Sequence, residues 1–215
     1  MKLLNSIWLA AVILAGCTTT DPREMLFNGR DLTGWTIFVG DSGIVPENFF
    51  YVKEGVIETP GVPLGYLRTT GIFSDYRLHV EWRYTGEPTN SGIFLHTNGP
   101  DKLWPAHFQC QLKHNDAGDL IVQDVGLSAR VGDSLYVSSE TIRPVVPKMT
   151  ASSEVPPGGW NSADIVCSGD SIRITINGVL QNEASNISLT SGGIGLQAEG
   201  STIQFRNIWI ERIKK

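Results

Sequence analysis

The 215-residue chain carries 22 acidic against 17 basic residues, a formal charge of −5, with 41% hydrophobic residues and a mean hydropathy of −0.05. No Lys/Arg cluster stands out, which argues against a nucleic-acid surface built on phosphate contacts, and three cysteines are too few for a disulfide scaffold or a cysteine-ligated metal cluster. The length suits one large β domain with a sizeable core.

The N-terminus opens with Lys2, runs through the apolar stretch Ile7 to Leu14, and continues Leu14-Ala15-Gly16-Cys17 before a threonine run. A basic start, a short apolar stretch and small residues describe a secretory signal rather than a membrane span, which needs about 20 apolar residues. The tetrapeptide resembles a bacterial lipobox, so residues 1–16 are expected to be removed and Cys17 to be lipidated; the alternative is an ordinary signal peptide with a chance cysteine. By the same resemblance, Thr18 in place of an Asp favours the outer membrane. The expected product is a lipid-anchored protein of the cell envelope, with residues 17–24 as lipidated cysteine and linker and residues 25–215 as a single domain.

Short alternating runs follow in order: Asn48 to Ile57, Gly65 to Thr69, Tyr76 to Tyr84, Gly92 to His96, His107 to Lys113, Leu120 to Val125, Asp164 to Cys167, Ser171 to Ile176, Gly193 to Gln197 and Ile203 to Ile213. Glu54-Gly55, Ser168-Gly169-Asp170 and Asn177-Gly178 punctuate them, the last as a strong hairpin turn. Many short strands with turn punctuation predict an all-β fold, an antiparallel β-sandwich or jelly roll. Gly126 to Gly159 lacks alternation and reads as a long excursion over one face, of the kind that carries or covers a site. Cys110 and Cys167 each sit in a strand-like run. A cross-sheet disulfide and two small buried hydrophobes are both open readings.

The run Tyr76 to Tyr84 puts Leu78, Val80, Trp82 and Tyr84 on one face and Arg77, His79, Glu81 and Arg83 on the other. In His107 to Lys113 the apolar face is Phe108, Cys110 and Leu112, and the polar one His107, Gln109, Gln111 and Lys113. Phe94 and His96 are in phase. Close in sequence, these three runs are expected to be sheet neighbours with their polar rows on one surface. Three readings are open for that surface: a plain solvated face, a protein interface, or the floor of a saccharide site. His, Gln and Arg give directional and bidentate hydrogen bonds suited to the third. Trp104 and Trp160 would be rim aromatics for a sugar ring, and the Pro88 to Gly92 loop, with Asn90, adds small polar groups at the edge.

The phrases Leu26 to Trp35, Gly65 to Thr69, Leu78 to Arg83, Asn90 to Ile93, Ala117-Gly118-Asp119, Gly159-Trp160-Asn161, Asn177-Gly178, Ile194 to Gln197 and Phe205 to Ile208 resemble, in this order, the 3-keto-disaccharide hydrolase family, over about Met25 to Ile213. That resemblance implies a concanavalin A-like jelly roll and a substrate whose C3 hydroxyl has been oxidised to a ketone. The C2 proton of a 3-keto-glycoside is acidic. A base removes it, the enolate expels the C1 aglycone, and water adds later, with no pair of carboxylates required.

On this resemblance the base is His96 or His107, Arg83 or Arg68 holds the enolate oxygen, and Glu81 orients an imidazole or holds a metal; the bland reading of Glu81 and Arg83 is mutual neutralisation along one strand. His79 and His114 are weaker candidates. Asn90, Trp104, Gln109, Gln111 and Trp160 would contact the sugar. A divalent metal on His96, Glu81 and His107 is compatible, although no short spacing motif specifies one, and a partner oxidoreductase would supply the ketone. The family pattern carries Glu where this chain has Gln109, and an amide neither titrates nor carries charge. A non-catalytic saccharide-binding lipoprotein using the same face is the alternative. Asp119, after Gly118, is expected to cap a loop.

Overall fold

In Tyr76–Tyr84 alternate side chains are buried, the period of a strand packed on one face. The same period recurs in Asn161–Ser168, and the computed structural model, which describes residues 22–214, stacks such strands into two antiparallel sheets. In chain order the elements are β1 (Arg23–Met25), β2 (Trp35–Val39), the one-turn helix α1 (Pro46–Phe49), β3 (Tyr51–Lys53), β4 (Val56–Thr59), β5 (Gly65–Thr69), β6 (Tyr76–Tyr84), β7 (Gly92–Asn98), β8 (Ala106–Gln111), β9 (Leu120–Gln123), β10 (Ser128–Val131), β11 (Ser134–Val137), β12 (Val145–Val146), β13 (Asn161–Ser168), β14 (Ser171–Ile176), β15 (Val179–Ala184), β16 (Gly193–Ala198) and β17 (Ile203–Arg212). The signal segment, Cys17 and most of the linker expected above lie outside the described residues. No described helix is long and apolar enough to cross a membrane.

One sheet of eight strands runs β15-β14-β13-β6-β17-β4-β3, with β1 added against β17. The other, of seven, runs β12-β9-β8-β7-β16-β5-β2, and β10 and β11 form a separate hairpin. Both sheets place strands from distant parts of the chain side by side, the mark of a jelly roll rather than a meander. Between them lies one core. Leu78, Val80, Trp82, Ile165, Ile174 and Phe205 come from the eight-stranded sheet, and Leu67, Ile93, Leu95, Phe108, Leu120 and Leu196 from the seven-stranded one. Burying a side chain of this size removes it from water at a gain of about 1.5–3 kcal/mol. Cys110 and Cys167 both face this core as free thiols, which is the hydrophobe reading; burial pushes both well above the ordinary thiol range.

Three expectations need correction. First, β6 is not a neighbour of β7 and β8: it lies between β13 and β17 in the opposite sheet. Its polar row therefore faces away from that of β8, with the whole core between them. Second, Gly126 to Gly159 is not free of strands. It holds the β10–β11 hairpin and β12, which pairs with β9. Asn182 Nδ2 donates to the Val146 carbonyl at 3.1 Å, fastening the excursion to β15. Third, the run Asn48 to Ile57 opens inside α1 and turns at Glu54-Gly55 into a hairpin.

The Asn177-Gly178 turn is as expected, with φ of 49° and 79°, the left-handed pair a two-residue hairpin needs. Asp119 also takes its expected place, its Oδ1 accepting the Lys148 N–H at 2.8 Å.

Candidate functional site

The outer face of the seven-stranded sheet is built from residues in register across four strands. Arg68 of β5 pairs with Gly195 of β16, Gly195 with Phe94 of β7, and Phe94 with Gln109 of β8. At about 4.8 Å per strand this row spans about 14 Å, the scale of a disaccharide. In a parallel row, Tyr66 pairs with Gln197 and Gly92 with Gln111. Two glycines let side chains lie flat on this floor. A Cβ at Gly92 would collide with the Gln109 side chain, and one at Gly195 would sit 3.0 Å from the Phe94 ring.

The floor is polar yet buried. His107 is 0% exposed, Gln197 2%, Gln109 3% and Gln111 7%. Such groups must satisfy one another, and they do so in a chain. Gln109 Nε2 donates to Gln111 Oε1 at 2.7 Å and to Gln197 Oε1 at 3.2 Å, and Gln197 Nε2 donates to Glu199 Oε2 at 2.7 Å. The amides thus point their donors in sequence toward one carboxylate, Glu199, which is half-buried at the edge of the floor. Asn90 is bridged to Glu199 through the backbone, and its buried side-chain oxygen has no partner.

At the other side of the floor, Arg68 grips Asp101 with two bonds, Nε to Oδ1 at 2.8 Å and Nη2 to Oδ2 at 2.9 Å, while the Tyr66 hydroxyl donates to Asp101 Oδ1 at 2.8 Å. The Arg68 guanidinium holds the Asp101 carboxyl below the usual carboxylate range. Trp104 follows this loop and meets Phe94 edge-on at 6.0 Å.

His107 stacks on Phe94 at 3.8 Å and gives its Nδ1 proton to the Pro105 carbonyl at 2.6 Å, leaving Nε2 toward Gln109 at 3.5 Å. Burial pushes this imidazole down to about 4, so it is neutral at ordinary pH.

Of the residues expected at one site, the structure brings together Arg68, Asn90, Trp104, His107, Gln109 and Gln111. His96 is not among them, because the register slips by a residue between Leu95 and Asn98 and His96 takes φ of 56°. That bulge breaks its phase with Phe94. The ring instead lies edge-on to core Tyr76 at 5.7 Å, with Nδ1 bonded to the Leu189 carbonyl at 2.9 Å. Burial lowers its pKa.

Glu81, Arg83 and Trp160 are grouped on the opposite sheet, so the ligand set His96, Glu81 and His107 is not assembled. Among the described residues no group of three or more His, Cys, Asp or Glu is placed to hold a metal ion. Glu81 and Arg83 do not neutralise each other either. Glu81 accepts from Arg206 Nε at 2.6 Å, and Arg83 Nε donates to Gln204 at 2.8 Å. His79 stacks on Trp209 at 4.9 Å on that same sheet, and His114 bonds Glu154 at 3.3 Å.

Sequence reasoning missed Gln197, Glu199, Tyr66 and Asp101. The first two lay in plain sight in Gly195-Leu196-Gln197-Ala198-Glu199, alternating in phase, but only the pairing of β16 between β5 and β7 places them. A model of the 3-keto-alpha-glucoside-1,2-lyase-like domain matches residues 22–211. The chain belongs to this family.

Solved structures agree on the fold of this lyase-like domain. A "putative glycosyl hydrolase" from Parabacteroides distasonis superposes with a TM-score of 0.64 at 21% identity, over 89% of this chain and 94% of that one. Carbohydrate-binding module CBM66 from Bacillus subtilis gives 0.57 at 12% identity, over 82% and 94%. A β-glucanase from Bacillus licheniformis gives 0.55 at 13%, over 89% and 97%. No curated protein sequence matches the chain. Membership of the lyase-like family supports a glycoside-processing role with a saccharide as partner.

Proposed function

We propose that the lyase-like domain cleaves a 3-keto-glycoside on the outer face of the seven-stranded sheet, with Glu199 as the base. The observation that carries this reading is the directed amide chain from Gln109 through Gln197 to Glu199. One Glu199 oxygen is engaged by Gln197, and the other is left to take the C2 proton. The electrons of the C2–H bond form the enolate, whose C3 oxygen is met by the Gln111 amide N–H, since Gln111 uses its own oxygen to accept from Gln109. Collapse of the enolate breaks the C1–O bond, the departing aglycone oxygen takes up the proton now held by Glu199, and a C1–C2 double bond is left. Water then adds at C1 and a proton returns to C2. Arg68, held by Asp101, and Trp104 flank the sheet where the aglycone would lie.

His107 is a poorer base because it is fully buried, stacked on Phe94 with its Nδ1 proton given to the Pro105 carbonyl. A partner oxidoreductase would supply the ketone, and a lipid on Cys17 would hold the domain at the outer membrane. The second reading, saccharide binding without turnover, is favoured by Gln109 itself, an amide where the family pattern has an acid.

The test is release of p-nitrophenol from a p-nitrophenyl 3-keto-glucoside. Glu199→Gln keeps an acceptor for Gln197, and it should lower kcat by about 100-fold or more, the lower end of what a positioned base supplies, with saccharide binding retained. Turnover unaffected by Glu199→Gln would overturn the choice of base. Binding with no turnover in the unmodified protein would favour the second reading.

A further inference from the structure

The eight-stranded sheet carries a cleft of its own, about 330 Å³, lined by Lys53, Glu54, Val56, Arg83, Trp160 and Arg206, with Gln204 at its base. Both guanidinium groups lie over the Trp160 ring, Arg83 at 4.6 Å from its centroid and Arg206 at 3.9 Å. Two like charges share one indole because each is fixed from the sheet beneath. Arg83 is anchored through Nε to Gln204, which in turn donates to Glu58 at 2.5 Å, and Tyr51 holds the other Glu58 oxygen at 2.5 Å. Arg206 is anchored through Nε to Glu81, whose other oxygen accepts from Asn207 at 2.9 Å.

The carboxylates of Glu58 and Glu81 are therefore occupied on both oxygens, and the acidic group left at the rim is Glu54. Each arginine spends its Nε on the protein and keeps the outer edge of its guanidinium, the edge that matches two coplanar carboxylate oxygens. The indole face holds the two planes in place. Lys53 alongside suits hydroxyl groups.

We propose that this cleft is a second saccharide site, on the sheet opposite the amide floor, taking an acidic sugar whose carboxylate is gripped by Arg83 and Arg206. The choice of a sugar as the bearer of that carboxylate rests on the glycoside-processing reading; the anion grip rests on the arginine geometry alone. Because it lies across the core from Glu199, the cleft binds without reacting and would hold the domain on an acidic glycan.

Calorimetric titration of the full chain with tetragalacturonate, neutral cellotetraose and citrate tests it. Tetragalacturonate should bind, more weakly as NaCl is raised. The double variant Arg83→Lys/Arg206→Lys keeps both charges and a partner for Glu81 but loses the planar fork, and it should weaken tetragalacturonate by about tenfold or more while leaving 3-keto-glucoside turnover unchanged. Arg212→Gln, which removes a surface arginine paired to Glu24, should leave binding unchanged.

Affinity that survives the double variant, or that falls with Gln111→Ala instead, overturns the location. Citrate binding as tightly as tetragalacturonate reduces the cleft to a plain anion patch. Should the double variant fold poorly, the Trp160 indole N–H resonance of the unmodified protein decides: it shifts on tetragalacturonate addition if the cleft is the site, and its constancy overturns it. Turnover and this binding are measured separately, so failure of one is distinguishable from failure of the other.

Discussion

Replacing Gln109 by Glu restores the residue of the family pattern, and the structure says that this chain will resist it. Gln109 Nε2 donates two hydrogen bonds, to Gln111 and to Gln197, and a carboxylate oxygen in its place faces two acceptor oxygens instead. If the neighbours keep their orientation, both bonds are lost at about 1 kcal/mol each, and unpaired acceptors are left behind at a further cost, for a total of about 2–4 kcal/mol. If Gln197 flips to donate, it abandons Glu199, so the loss is moved rather than removed.

The penalty falls on the charged form of a group in a site only 3% exposed, so the new carboxyl has a higher pKa folded than unfolded. The folded state then binds more protons, and stability falls as pH rises from the unfolded value near 4.3 through the folded one. Urea unfolding of Gln109→Glu at pH 4 and pH 8 checks this: the variant should sit close to the unmodified protein at pH 4 and well below it at pH 8. A variant as stable as the parent at pH 8 would refute the orientation assigned to the amide chain.

Other consequences follow from the same floor. His107, pushed down to about 4 by burial, gives a contribution that is intact above the unfolded value of about 6.5 and is lost as pH falls toward 4, at most about 3 kcal/mol; His107→Gln should flatten that part of the stability curve, seen by urea unfolding between pH 4 and 7. Gly92→Ala places a methyl in the Gln109 side chain, so an overpacking loss of about 1–3 kcal/mol is expected, with saccharide affinity falling by calorimetry. Tyr66→Phe removes one hydrogen bond to Asp101 but leaves the two from Arg68, so a thermal scan should show a loss of about 1 kcal/mol with the fold intact.

Local pattern was legible and assembly was not. Gly65–Thr69, Tyr76–Tyr84 and Ser171–Ile176 match their strands residue for residue, because each alternates cleanly and ends at a turn. The edge strand β2 escaped notice: Trp35 to Val39 is apolar at four of its five positions and so shows no alternation. The pairing of β6 with β13 and β17 is a long-range choice that no window of sequence carries. Adjacency in the chain pointed instead to β7. His96 shows the same limit on a smaller scale. One extra residue between Leu95 and Asn98 changes the face of a side chain, and nothing in Gly92 to His96 announces a bulge.

The two polar faces of the sandwich can be told apart by how their groups are satisfied. On the eight-stranded sheet, charges meet charges: Glu81 with Arg206, Arg77 with Asp164, Arg212 with Glu24, all at least partly exposed and worth little singly. On the seven-stranded sheet, uncharged amides sit almost fully buried in a relay that ends on one carboxylate. A buried polar row is costly unless every member is paired, and a partly open one persists only where something else repays the cost. Here the unpaired members are the Gln111 amide donors, one Glu199 oxygen and the Asn90 oxygen, all gathered at one end of the floor. Two acceptors and a donor within one cluster are what a sugar carrying hydroxyls, a ketone and an acidic C–H can complete. With Gln at position 109 and Asp101 paired to Arg68, the free negative charge of the floor lies at Glu199, which is why the proposed base is placed there.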